Sequence, residues 1–160
     1  MTPAGGIERV ISTLANHFCE FMEVTILVKD KAYSHYPLSD KIKIVSLDSN
    51  LELDMNNRIK RIAQAGINLL QSTTKLKHFL ALNQYDLYYL AHPLNVLEFH
   101  LARGIDKQVI ITEHGGINAY NIVYKKVKQW LYPKARFYVV PTSSDAKAYS
   151  ELNLPVVYIP

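Results

Sequence analysis

The stretch Val109-Ile-Ile-Thr-Glu-His-Gly-Gly116 indicates the fold class of this chain. Its first residues are apolar and β-branched, which is typical of a strand covered on both faces in a parallel sheet. In open α/β folds, ligands bind where the chain leaves the carboxyl ends of the strands. Glu113 and His114 follow this strand directly, so we expect both side chains at a ligand-binding edge. Gly115 has no Cβ, which lets another group approach the backbone closely.

The rest of the chain alternates between helical and strand patterns. Apolar residues at helical spacing predict helices over about 6–22, 56–82, 118–131 and 143–152, and a short helix follows His92-Pro93. Runs of β-branched and aromatic residues predict strands over 23–28, 42–47, 86–91, 108–112, 136–140 and 155–159. This order predicts an α/β fold with a Rossmann-like, doubly wound parallel sheet. The second helix is either continuous or broken near Gly66, and Ser143 or Ser144 is expected to cap the last helix.

Length and composition restrict the class of protein. The 160 residues suit one domain with a hydrophobic core, and the single cysteine, Cys19, excludes a disulfide framework. No apolar run approaches the roughly 18 residues of a membrane span, and the amino terminus lacks the features of a signal peptide. The net charge of +4 is modest, and the tyrosines are not interleaved with Lys and Arg, so no nucleic-acid partner is predicted. We expect a cytoplasmic protein.

Gly5 and Gly6 stand immediately before a predicted helix. Free N–H groups and the positive end of the helix dipole suit such a place to a phosphate. The pattern is not the dinucleotide G-x-G-x-x-G, and it is not a P-loop, since no Gly-Lys-Ser/Thr follows. These residues alone leave open an ordinary helix start that contains glycine. An NAD-binding enzyme is an alternative whose phosphate fingerprint is missing.

Five motifs, taken in order, resemble the retaining GT-B glycosyltransferases of family 4. They are Gly5-Gly-Ile-Glu-Arg-Val10 with the helix and strand after it, Asp86-Leu-Tyr-Tyr-Leu-Ala-His-Pro93, Val109 to Gly115, Phe137-Tyr-Val-Val-Pro-Thr-Ser-Ser-Asp145 and Val156-Val-Tyr-Ile-Pro160. The resemblance covers essentially the whole chain and implies the amino-terminal, acceptor-side half of a two-domain enzyme. The first family strand and the carboxy-terminal nucleotide-sugar domain, with its Glu-x₇-Glu motif, have no counterpart. We therefore expect residues 1–160 to form a single domain that is truncated at both ends.

The resemblance also implies a reaction. A sugar would move from a nucleotide-sugar donor to a saccharide or lipid-linked acceptor, in the synthesis of a surface polysaccharide or glycolipid. Gly5 and Gly6 would approach the donor diphosphate, and His114 would lie beside the reacting sugar as the catalytic residue. Glu113 would orient His114 or bind acceptor hydroxyls. No cofactor or metal is implied, and the fragment alone would be inactive because half of the donor site is missing. A non-catalytic partner of a split glycosyltransferase is the alternative.

Other residues of the expected acceptor cleft have structural alternatives. His92 either lines the cleft or serves a structural role beside Pro93, and Asp145 stands at a helix start where its charge meets the helix dipole. Thr142 and Gly115 complete this side of the cleft. The histidine spacing fits no standard zinc pattern, so no metal site is predicted.

A basic cluster accompanies the last predicted helices. It comprises Lys125, Lys126, Lys128, Lys134 and Arg136. We interpret it as a solvated face; the sharper hypothesis is a contact with anionic lipid at the inner face of the membrane, helped by Trp130 and Tyr132. Helical spacing nevertheless places Tyr120, Tyr124 and Trp130 in the core.

Overall fold

The computed structural model describes residues 5–49, 57–114, 122–151 and 154–159. The chain divides into two compact units, residues 1–75 and 76–160. Each contains a parallel sheet accompanied by helices, so the predicted α/β class is confirmed.

The first unit contains a two-stranded parallel sheet and a helix packed on it. α1 spans Gly6–Phe18, β1 spans Thr25–Val28 and β2 spans Lys43–Ser46, with Ile26 opposite Ile44. The buried core consists of Ala15, Cys19, Ile26, Val28 and Ile42. Cys19 is a free, buried thiol that packs as a small apolar residue.

The first helix ends before the predicted position at Met22. The Glu20 N–H donates to His17 O at 3.3 Å, and the Phe21 N–H donates to Phe18 O at 2.9 Å. These bonds tighten the last turn to three-residue spacing, a common way to satisfy carbonyl groups at a helix end.

The second helix is continuous. α2 spans Arg58–Leu82, 25 residues that run through Gly66 without a break, which gives a length of about 37 Å. Asn57 precedes it, and its Oδ1 accepts from the N–H groups of Ile59 at 3.0 Å and Lys60 at 3.1 Å. This side chain therefore satisfies two backbone donors that have no partner inside the helix. No helix in the described ranges has both the length and the apolar character needed to cross a bilayer.

The second unit contains a four-stranded parallel sheet. Its elements are β3 (Tyr88–Leu90), α3 (Pro93–Ala102), β4 (Val109–Thr112), α4 (Ile122–Leu131), a 3₁₀ turn (Tyr132–Lys134), β5 (Phe137–Val140), α5 (Ser143–Ser150) and β6 (Val156–Tyr158). The strands are hydrogen-bonded in the order β3-β4-β5-β6. Val109 and Ile111 of β4 are fully buried, as the opening stretch predicted for a strand covered on both faces. Gly104 has a φ of +97° just past α3, a conformation that suits a glycine.

Within each sheet, the strands follow the neighbour relations of a doubly wound fold. In the order 3-2-1-4-5-6 of such folds, strands that are consecutive along the chain are neighbours on each flank of the sheet. The pairings β1-β2 and β3-β4-β5-β6 show the same relation, because each strand lies beside the one that precedes or follows it in the chain.

One face of α4 differs from the prediction. Lys128 is only 4% exposed, whereas Trp130 is 56% exposed. The apolar pattern placed Trp130 in the core and Lys128 on a solvated face, and both placements are wrong. Lys128 shares a helical face with Tyr124, which is half-buried, and Leu131, which is fully buried. Tyr120 lies outside the described residues.

Candidate functional site

The candidate site lies at one edge of the four-stranded sheet. β3 continues through Ala91 to His92, and β4 continues directly into Glu113 and His114. β5 continues through Pro141 to Thr142. The strands are parallel, with Leu90 opposite Ile111 and Thr112 opposite Val139, so all three exits share the carboxyl edge. Such an edge is where open α/β sheets bind ligands.

Glu113 points into the second unit. Its side chain is 1% exposed, and its Oε2 forms an ion pair with Nζ of Lys128, whose side chain is 5% exposed. The hydroxyl of Tyr138 donates to the same oxygen at 3.1 Å. Oε2 of the carboxylate therefore has a cation and a neutral donor as partners. Oε1 is buried and has no hydrogen-bond partner among the described residues.

Two further tyrosines extend this buried cluster. Lys128 Nζ donates to the hydroxyl of Tyr149 at 3.1 Å. The ring of Tyr138 packs edge-on against Tyr149 and at a tilt against Tyr132, with 4.8 Å between centroids in each case. Burial raises the pKa of Tyr138, and the Glu113 charge raises it further, so Tyr138 remains a neutral donor. We refer to Glu113, Lys128, Tyr138 and Tyr149 as the buried cluster.

His114 is half-buried, next to the buried cluster in the chain. Its Nε2 is buried and has no hydrogen-bond partner among the described residues. Burial lowers the pKa of His114, and the negative charge of Glu113 opposes this change. The neutral imidazole is therefore favoured at pH 7, and its Nε2, for which the described residues offer no partner, suits a group that donates or accepts one hydrogen bond.

His92 is the N-cap of α3. Its backbone is extended, and its Nδ1 accepts from the Leu94 N–H at 3.2 Å, with Pro93 at the first helical position. The ring also contacts Tyr124 of α4 edge-on, with 6.2 Å between centroids. These contacts give His92 the structural role beside Pro93 that was one of its two predicted interpretations. Its place at the carboxyl edge is compatible with lining the cleft as well.

Thr142 and Asp145 cap α5 together. The Asp145 N–H donates to Thr142 Oγ1 at 3.1 Å, and the Thr142 hydroxyl donates to Asp145 Oδ2 at 2.6 Å. The cap is thus Thr142, and the predicted caps at Ser143 and Ser144 are wrong by one or two positions. The Asp145 carboxylate lies in the first turn, where the helix dipole favours a negative charge.

Gly5 and Gly6 belong to the first unit. Gly5 is the N-cap of α1, with φ −118° and ψ 168°, and it has no side-chain cap of its own. A Cβ at Gly5 would meet Oε2 of Glu8 at 2.5 Å, so the Glu8 carboxylate lies against this helix end. A donor phosphate would have to displace that negative charge. The donor-binding role of both glycines stays a prediction.

Gly115, a possible metal site and Lys128 are the remaining features to compare with the sequence-based prediction. Gly115 lies outside the described residues. Within the described ranges, no group of three or more His, Cys, Asp or Glu side chains is arranged to hold a metal ion. The sequence-based prediction missed Lys128 as part of the site region, although its spacing from Tyr124 and Leu131 placed it on the inward face.

Comparison with known proteins addresses the family directly. No curated protein sequence matches the chain. A sequence model of the family described as Glycosyltransferase Family 4 matches residues 4–160. This range includes all five motifs, both parallel sheets and the carboxyl edge with His114. The chain therefore belongs to glycosyltransferase family 4.

Proposed function

We propose that this chain is the acceptor-side domain of a retaining glycosyltransferase. It would act in the transfer of a sugar from a nucleotide-sugar to a saccharide or lipid-linked acceptor, in surface polysaccharide or glycolipid synthesis. Membership of the family supports glycosyl transfer in general. The observation that carries the finer proposal is His114, a half-buried imidazole at the end of β4 whose Nε2 has no partner among the described residues.

His114 binds a sugar hydroxyl in this proposal. A neutral imidazole both donates and accepts hydrogen bonds, and burial lowers the pKa of His114 so that the neutral form prevails near pH 7. The acceptor oxygen bonds to the anomeric carbon as the bond from that carbon to the donor phosphate breaks. The acceptor proton passes to the leaving phosphate. The protein supplies no nucleophile, and its contribution is to position and stabilise the reacting groups.

The donor site requires a second domain in this proposal. The backbone at Gly5 and Gly6 lies close to the donor diphosphate. The nucleotide is bound by the carboxy-terminal domain of a two-domain enzyme. Residues 1–160 alone are therefore expected to have no turnover.

A peripheral contact with anionic lipid is also part of the proposal. Trp130 is 56% exposed. Its ring is flanked by His100, with centroids 4.8 Å apart, and by Lys134 Nζ at 4.7 Å from its centroid. Arg136 lies over Phe137, which is 42% exposed. Aromatic rings beside cations are suited to the headgroup region of a membrane.

The test uses the chain joined to its donor domain. His114→Ala should lower kcat by about 10²-fold or more, the usual loss when a positioned polar group at a reacting centre is removed. Release of nucleoside diphosphate from a panel of nucleotide-sugars would be measured. His35→Ala, a change at an exposed histidine, is the matched control and should leave kcat unchanged. Unchanged turnover in His114→Ala would overturn the proposed role of His114. Turnover by residues 1–160 alone would overturn the requirement for a second domain.

A further inference from the structure

The Glu113–Lys128 ion pair is buried at the exit of β4. The side chains are 1% and 5% exposed, respectively. Removing two charges from water has a large desolvation cost, which their attraction offsets only when the geometry is good and other donors complete the arrangement. Tyr138 supplies such a donor to Oε2 of Glu113, whereas Oε1 has no donor among the described residues. A pair of this kind directly beside the candidate sugar-binding histidine calls for a functional explanation, because buried apolar side chains would fill the same space without that cost.

The buried cluster connects four elements of the second unit. Glu113 follows β4, Lys128 belongs to α4, Tyr138 to β5 and Tyr149 to α5. The Glu113 N–H also donates to Val139 O at 2.9 Å, so β5 holds the backbone of this residue as well as its carboxylate. Its main chain and its side chain are thus both fixed. The residue that follows is His114, whose position at the strand end is set by this anchored neighbour.

One charge of the same cluster, that of Glu113, acts on His114. Among the described residues, the titratable groups that contact Glu113 are Lys128 from α4 and Tyr138 from β5, and Tyr149 from α5 contacts both of these. Tyr138 is neutral because burial raises its pKa. Glu113 is the charged group that opposes the effect of burial on the pKa of His114. The carboxylate therefore influences how much of His114 is protonated at a given pH.

We propose that Glu113 is a positioning residue for His114, held inside the unit by Lys128 and Tyr138, and that it does not bind the acceptor sugar. The effect of Glu113 on catalysis rests on the proposed function. The contacts that hold Glu113 beside His114 involve only residues 76–160. Glu113 fixes the exit of β4 and supplies a negative charge beside the imidazole. Lys128 compensates that charge within the unit. His114 is then the residue of the Glu-His pair that meets the sugar.

The first experiment does not depend on sugar transfer. The proton titration of His114 is followed by NMR in the 160-residue chain, and His114→Gln identifies its signal among the six histidines. Glu113→Gln should lower the pKa of His114, because the opposing charge is gone. The double variant Glu113→Gln/Lys128→Met removes both charges together and should also lower the pKa of His114. It keeps the test valid if the single variant folds poorly.

Matched variants make this titration decisive. Glu98→Gln changes another buried carboxylate, 3% exposed, and should leave the pKa of His114 unchanged. Lys128→Arg keeps the cation and should retain the wild-type titration. The proposal is overturned if neither Glu113 variant moves the titration, or if Glu98→Gln moves it equally.

The second experiment uses the chain joined to its donor domain. Glu113→Gln should lower kcat while the KM for the acceptor stays within about twofold, since the acceptor contacts are intact. A KM for the acceptor that rises tenfold at unchanged kcat would show that Glu113 binds the acceptor, and it would overturn the inference. If His114→Ala has no effect on turnover but Glu113→Gln still moves the His114 titration, the proposed function fails while the positioning relationship holds.

Discussion

The hydroxyl of Tyr138 on β5 donates a 3.1 Å hydrogen bond to Glu113 Oε2 at the end of β4. Neighbouring strands of the sheet are thus joined by side chains as well as by backbone hydrogen bonds. Because the acceptor is a buried carboxylate, the loss of this donor should cost more than the loss of an ordinary hydrogen bond.

Tyr138→Phe therefore tests the strength of this contact. We expect the free energy of unfolding to fall by about 1.5–3 kcal/mol, the usual contribution of a hydrogen bond to a charged group. Urea unfolding followed by circular dichroism would measure it. Tyr33→Phe, at an exposed tyrosine, should change the free energy of unfolding by less than about 0.5 kcal/mol. Equal effects in the two variants would contradict the structure.

The ion pair between Lys128 and Glu113 predicts a non-additive stability pattern. Lys128→Met leaves a buried carboxylate without its cation and should cost about 3–5 kcal/mol. Adding Glu113→Gln removes the remaining charge and should recover part of that loss. A double-mutant cycle in urea measures the coupling. If the double variant were as unstable as the sum of the singles, the two side chains would not interact.

The N-cap of α5 is Thr142 and not one of the neighbouring serines. Thr142→Ala should lower the free energy of unfolding by about 1 kcal/mol, because the Asp145 N–H loses its acceptor. Thr142→Ser should retain most of the stability, and Ser143→Ala should have little effect because Ser143 is not the cap. Thermal or urea unfolding of the three variants decides the assignment. A larger loss for Ser143→Ala than for Thr142→Ala would contradict it.

Two half-buried histidines predict a loss of stability in acid. The pKa of His114 is lowered by burial, and that of His100 is lowered by burial and by the charge of Lys134. Below the unfolded-state pKa of about 6.5, the unfolded chain binds protons that the folded chain resists. Their contribution is therefore fully present above this pH and is lost as the pH falls through the folded-state pKa. His100→Gln/His114→Gln should flatten the decline in the free energy of unfolding between pH 7 and pH 5, whereas His35→Gln should not.

Trp130 provides its own probe of the membrane proposal, because it is the single tryptophan. Its fluorescence emission maximum should shift to shorter wavelength when vesicles that contain phosphatidylglycerol are added. It should stay unchanged with vesicles of pure phosphatidylcholine. Salt should weaken the effect. Lys134→Glu should reduce it, and Lys31→Glu, the same charge change at an exposed lysine of the first unit, should not. An emission spectrum that is insensitive to anionic vesicles would exclude Trp130 as a lipid contact.

The fold was largely predictable because its signals are local. The fully buried residues Val109 and Ile111 are part of an apolar run that predicted a covered strand, and His92-Pro93 marked the start of α3. The interior of the site region was not predictable in the same way. Lys128 looked like one of several surface lysines, because its partner Glu113 is distant in sequence and only the folded chain brings them together.

Helix boundaries and caps were also only partly predictable. Thr142, Ser143 and Ser144 all have hydroxyl groups that cap helices well, so composition alone did not choose among them. The choice depends on where β5 ends and on the reciprocal bonds between Thr142 and Asp145. Trp130 was misplaced for a related reason, since an aromatic residue at helical spacing is equally compatible with a core and with an exposed contact surface.

The buried cluster also has a consequence for how the second unit unfolds. If α4 were to separate from β4 and β5, the Glu113 carboxylate would lose its cation, and if β5 were to separate, it would lose its remaining donor. The first opening would leave an uncompensated charge and the second a buried carboxylate with one donor fewer, and both are more costly than the loss of the same contacts between apolar side chains. We therefore expect the strand end that carries His114 to open together with the surrounding elements and not by itself.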